Sequence, residues 1–301
     1  MTAQNNQINQ NFHLFLIFLL LSGILSCFLI FFNQFTQLFY VPSITPAEWL
    51  VSEPYMKFNF LSSDFVISQP TSTLLIYFLG ILTVFCGFYL LYTHNNQESR
   101  QLWGIALFLW GIGSLLAGTS YQAFAYQLKC ADYTFCIWTT WWEVMYMVFT
   151  VASVLTMLLA QKMTSIDEKY HSTINIYCIC AMFLYIIIIL IGSLTPIQFF
   201  ISFELMVLFV IPNFGFIFIQ NLKQYRKYKK PLDRNLLIVW IVLGLIQIGY
   251  FIYLLLGITE ILWENGIWFS ENDFLHVGLI FWMIFFGKTL VDLTREPVKI
   301  N

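Results

Sequence analysis

The densest set of ionisable groups lies in Trp268-Phe269-Ser270-Glu271-Asn272-Asp273-Phe274-Leu275-His276, where a polar loop enters the last long apolar segment. Asp273 and His276 are three apart and Asn272 and His276 four apart, so a helix places all three near one face. Imidazole and carboxylate both suit Zn²⁺, and the same groups serve general acid–base chemistry or proton transfer. Three other apolar segments carry polar groups toward the corresponding end. Tyr121 and Gln122 close one, Glu143 opens another, and Glu204 sits about two turns inside a third. Bundle sites are assembled from such side chains on facing helices. The expectation is one pocket built from Tyr121, Gln122, Glu143, Glu204, Asn272, Asp273 and His276. His276 is the only imidazole in the set, which makes it a weak metal ligand on its own and zinc no more than an option. No GxSxG, HExxH or phosphate-loop pattern occurs.

The elements that would position these groups follow from composition. The chain is 59% apolar and 10% charged, where a soluble domain carries about 25% charged residues. A soluble fold of 301 residues cannot hide that much apolar surface. An all-α integral membrane protein is expected. Eight segments reach the roughly 20 residues a helix needs to cross the hydrocarbon core, near 14–32, 71–92, 102–124, 138–160, 173–192, 198–220, 235–258 and 273–291. No period-2 alternation runs through them, which argues against a β-barrel. The chain divides into a tail and first transmembrane helix (1–33), an outer loop or lid (34–70), a seven-helix core (71–292) and a tail (293–301).

Charge fixes the orientation. Eight crossings put Arg100, Lys162, Lys169, Lys223, Arg226, Lys227, Lys229, Lys230, Arg234, Lys288, Arg295 and Lys299 on one side, and Lys57 and Lys129 on the other. The positive-inside rule then places both termini in the cytoplasm, in a bacterial inner membrane or an equivalent one. The net charge of −2 gives no sign of nucleic-acid binding, so membrane lipids and membrane proteins are the expected partners. The run Lys223-Gln224-Tyr225-Arg226-Lys227-Tyr228-Lys229-Lys230 could touch anionic headgroups, although the topology rule alone accounts for it.

The first segment lacks a basic n-region and a small-residue cleavage pattern, so it reads as an uncleaved helix rather than a signal peptide. The loop 33–70 interleaves Pro42, Pro46, Pro54 and Pro70 with aromatics, as a lid or a packed surface connector would. Cys130 and Cys136, six apart on the outer side, are placed to form a disulfide. Cys27, Cys86, Cys178 and Cys180 fall inside spans, as small apolar residues. Trp138, Trp141 and Trp142 mark the outer interface. Lys288 lies about one turn from the basic end, where a lysine snorkels to water, so a retinal Schiff base is not expected there.

The seven-helix core has a small-residue and aromatic motif (Gly118-Thr119-Ser120-Tyr121-Gln122) ending its second helix, Glu143 opening its third, and Asn272-Asp273-Phe274-Leu275-His276 opening its seventh. In these features residues 71–291 loosely resemble the superfamily of alkaline ceramidases, progestin/adiponectin receptors and small bacterial relatives. The resemblance implies a zinc ion held by a His of the second core helix and a His-x-x-x-His pair on the seventh, activating water to cleave a lipid amide. Here Gln122 stands at the first position and Asn272 at the second, so His276 alone carries over. Neutral amide oxygens replace imidazole poorly on Zn²⁺. Two functions are therefore expected: a protein whose outer pocket binds a lipid or amphipathic ligand, or serves as an accessory subunit, without turnover; and a membrane-embedded lipid amide or ester hydrolase with an atypical metal site. A transporter is a third option, with no pair of spans broken in repeated halves to favour it.

Overall fold

A computed structural model describes residues 44–60, 63–195, 197–229 and 231–293. The expected first span at 14–32 lies outside the described residues, as does nearly all of the C-terminal tail. Seven helices are long and apolar enough to cross a membrane, so the chain is an integral multi-pass membrane protein. They are α2 (Pro70–Tyr92), α3 (Glu98–Ala117, extended by a π-helical segment Gly118–Ala123), α5 (Trp141–Ser165), α6 (His171–Leu194), α7 (Phe203–Tyr228), α8 (Pro231–Leu255) and α10 (Glu271–Leu293). Short helices fill the loops at one end: α1 (Pro46–Ser52), α4 (Ala125–Lys129) and α9 (Ile258–Glu264).

Seven spans leave α2 and α10 starting at the same end, and polar contacts identify both ends of the bundle. Ser72 of α2 meets Asp273 of α10 at one end. Ser99 of α3 meets the Ala160 carbonyl of α5 at the other. Among the described residues Lys57 and Lys129 lie at the first end, the polar cap. Arg100, Lys162, Lys169, Lys223, Arg226, Lys227, Lys229, Arg234 and Lys288 lie toward the second, the basic end.

The helices associate in the order α2–α3–α5–α7–α8–α10 and back to α2, with α6 packed outside on α5. Lipid tails are as apolar as leucine, so close packing rather than the hydrophobic effect must hold such helices together. Glycines allow it between α2 and α3. A Cβ on Gly87 would stand 2.5 Å from the Phe108 amide nitrogen, and one on Gly111 would stand 2.6 Å from that of Val84. Deeper in, Trp103 and Trp110 of α3, Trp240 of α8, and Trp282 and Phe286 of α10 interlock as an aromatic core. The Trp282 indole finds its partner in the Val239 carbonyl, at 2.8 Å.

Two expectations change. Part of the expected outer loop is an antiparallel hairpin, β1 (Tyr55–Phe60) paired with β2 (Ser63–Ser68), with Phe58 opposite Phe65 and Met56 opposite Ile67. These pairs stabilise one face of a ribbon too short to stand out as periodicity in the sequence. The sixth span was expected from residue 198, but residues Gln198–Ile201 form a 3₁₀ turn and α7 begins at Phe203, capped by Ser202.

Candidate functional site

Glu143 is the third residue of α5, after the N-cap Thr140. Its Oε1 lies 2.5 Å from Lys129 Nζ and accepts from Ser120 Oγ at 2.9 Å, while Oε2 accepts from Thr139 Oγ1 at 2.7 Å. The Lys129 and Glu143 side chains are 14% and 2% exposed, so this is a buried ion pair. Lys129 is held from its own backbone: the Cys130–Cys136 disulfide follows it directly, and the Ile137 amide donates to the Lys129 carbonyl at 2.9 Å. Its ammonium also lies over the Tyr121 ring, 5.1 Å from the centroid. The ring itself is half-exposed and meets Tyr146 edge-on.

Asp273 is equally buried but has no cation among its partners in the described residues. It accepts from Ser72 Oγ (2.9 Å), from Thr71 Oγ1 (3.3 Å) and from the Ser270 amide (2.5 Å). The Ser270 hydroxyl donates nothing to that carboxylate; it receives the Asp273 amide at 3.3 Å and lies 3.1 Å from Ser72 Oγ. Asp273 thereby closes the start of α10 and ties it to the start of α2.

With both carboxylates satisfied, other atoms remain without a partner among the described residues. Gln122 Oε1, His276 Nδ1, Glu53 Oε2, Gln69 Oε1 and both amide atoms of Gln127 are buried and unpaired. An unpaired buried polar atom costs about 1–3 kcal/mol, so such a concentration at one end of the bundle is unusual. Glu53 is pushed above the ordinary carboxylate range, first by burial and further by Glu271, against the opposing effects of a hydrogen bond from Gln69 and the charge of Lys129. The hairpin and Phe124 line an open apolar groove of about 260 Å³, with Phe58, Phe65 and Ile67 as its other walls.

The expected site residues thus divide. Glu143 and Glu204 each lie within electrostatic reach of Tyr121. Asp273 and His276 share the buried face of α10, as the three-residue spacing requires. Asn272 is half-buried and turns to its neighbour Glu271 at 3.4 Å. Glu204 is corrected in depth: because α7 starts at Phe203, its side chain is in the first helical turn and exposed, not two turns inside. Among the described residues no group of three His, Cys, Asp or Glu is placed to hold a metal ion.

Lys129, Ser120, Thr139, Thr71, Ser72 and Ser270 do much of the positioning and were not on the expected list. A sequence signal existed for part of this. Thr140-x-x-Glu143 and Ser270-x-x-Asp273 both have the spacing of a helix-start capping box, which marks the acid as local structure before chemistry is invoked. No protein-family model matches the chain, and no curated protein or solved structure matches it.

Proposed function

We propose that the polar cap binds a lipid or other amphipathic ligand without turning it over. The observation that carries this reading is the division of labour among buried groups. Glu143 and Asp273 spend their acceptor capacity on protein donors. Gln122, His276, Glu53 and Gln127 keep polar atoms with no partner among the described residues. A neutral head with hydrogen-bond donors and acceptors matches an amide oxygen, an imidazole nitrogen and a carboxyl whose charged form burial disfavours. The apolar groove lined by Phe124 begins two residues beyond Gln122 and gives a hydrocarbon tail a place to lie. The lopsided distribution of Lys and Arg further supports a topology with the polar cap on the outer face and both termini in the cytoplasm.

The test is analysis of lipids that co-purify with the full chain. The parent should retain a distinct neutral lipid class that Gln122→Leu and His276→Leu lose, with both variants still folded. Identical lipid profiles in parent and variants would refute the ligand site. Stoichiometric zinc in the parent, lost on His276→Ala, would instead support the hydrolase.

A further inference from the structure

The basic end carries a second cleft, between the end of α5 and the last two turns of α7. Its volume is about 260 Å³, and its walls include Ser165, Tyr170, Gln220, Lys223, Gln224 and Lys227. Gln220, Lys223, Gln224 and Lys227 follow the spacing that keeps residues on one face of a helix, so two lysines and two glutamines line one wall. Asp167 is the acid on the rim; its side chain is 78% exposed and lies 4.0 Å from Lys169.

We infer that this cleft is a headgroup site for an anionic phospholipid of the leaflet at the basic end. Three features fit a phosphodiester. The wall is preorganised: Gln161 Nε2 donates to Asn221 Oδ1 (2.5 Å) and Ser165 Oγ (2.7 Å), and Gln224 Nε2 donates to the Ser165 carbonyl (2.7 Å), which fixes α5 against α7. The surroundings are positive, because Lys162, one turn before Ser165, is buried, bonded to Asn175, and makes no ion pair among the described residues. One turn deeper on the same face of α7, Phe216 and Ile219 are exposed, where acyl chains below a headgroup would run. That apolar step separates a lipid from a soluble phosphate, which would gain nothing from it. Basic pockets between transmembrane helices on such a face are established binders of anionic headgroups. This site is at the opposite end from the polar cap and does not depend on what the cap binds.

The experiment uses the full chain in neutral detergent at about 0.15 M salt, where diffuse attraction between exposed charges is largely screened. Dioleoylphosphatidylglycerol is titrated in mixed micelles and thermal unfolding is followed, with dioleoylphosphatidylcholine and inorganic phosphate as separate probes. Phosphatidylglycerol should raise the melting temperature, with phosphatidylcholine and phosphate doing so far less. Lys223→Gln/Lys227→Gln should weaken the apparent affinity roughly tenfold or more, at about 1 kcal/mol for each basic residue near the headgroups. Arg226→Gln/Lys229→Gln removes the same charge outside the cleft and should change it by less than about threefold on the same scale. All four side chains are exposed, so the lipid-free melting temperature should stay within a degree or two. Equal loss in the two double variants would overturn the site in favour of diffuse attraction. An equal response to phosphatidylcholine would overturn the anionic headgroup, and an equal response to phosphate would replace the lipid with a soluble anion.

Discussion

Glu143 and Asp273 invite comparison because they begin alike and end differently. Each is the third residue of a transmembrane helix preceded by a hydroxyl residue, Thr140 or Ser270, and each backbone amide finds that hydroxyl, at 3.4 Å and 3.3 Å. At Asp273 the reciprocal bond also forms, from the Ser270 amide at 2.5 Å, so the box is closed locally and the remaining lone pairs reach across to α2. At Glu143 the longer side chain leaves the box and joins Ser120, Thr139 and Lys129. Two hydroxyls reach each carboxylate; a backbone amide completes the set at Asp273 and a cation at Glu143. Removing a partner from the two should therefore cost different amounts. A buried ion pair is weak evidence for stability but expensive to break from one side.

That difference can be broken or sharpened by measurement, using unfolding by dodecyl sulfate in mixed micelles. The largest effect is expected from Lys129→Met, which strands a buried carboxylate and should cost about 3–5 kcal/mol. Adding Glu143→Gln should recover a good part of that loss. Additive effects of the two substitutions would show that the pair is not energetically coupled. Next comes Cys130→Ala/Cys136→Ala, expected to cost roughly 2 kcal/mol for a loop this short. Because the bridge adjoins Lys129, its effect should shrink in the Lys129→Met background but not in Asp273→Asn. Equal effects in both backgrounds would detach the disulfide from the Glu143 cluster.

Asp273→Asn should cost about 1–2 kcal/mol, since an amide turns a donor toward groups that are already donors. A loss as large as that of Lys129→Met would erase the contrast between the two sites. The smallest effect concerns Glu53. Its carboxyl is raised above the ordinary range mainly by burial. Its contribution to stability is therefore fully present below the unfolded pKa and is lost as pH rises through the higher folded value. From about pH 4.5 upward the parent should lose stability that Glu53→Gln retains. Parallel pH profiles would place Glu53 in water rather than in the cap.

Much of the candidate site was visible in the sequence as an address rather than as an arrangement. Tyr121, Gln122, Glu143, Asp273 and His276 were expected at one end of the bundle, and that is where they lie. Their roles were less visible. Asp273 stood out as chemistry and serves as a joint between α2 and α10. Lys129 entered only as a charge to be counted and became the counter-ion of Glu143. Glu204 was misplaced because the span was started at Gln198, whereas Gln198–Ile201 form a 3₁₀ turn and Ser202 caps α7.

Span length and charge distribution are sums over neighbouring residues, so the chain alone determined the seven described helices and the basic end. The same holds for Cys130 and Cys136, whose short separation brings them within bonding reach once their loop turns back. Partner choice depends on approach between distant parts of the chain. Ser72 and Asp273 are 201 residues apart, and Ser120 and Glu143 meet only because the π-helical end of α3 turns toward the start of α5. Which carboxylate gains a cation, which hydroxyls reach each one, and which polar atoms are left open were decided by the tertiary structure. The energy of a buried charge is set by the few atoms within about 4 Å of it, and no local pattern specifies those that distant helices contribute.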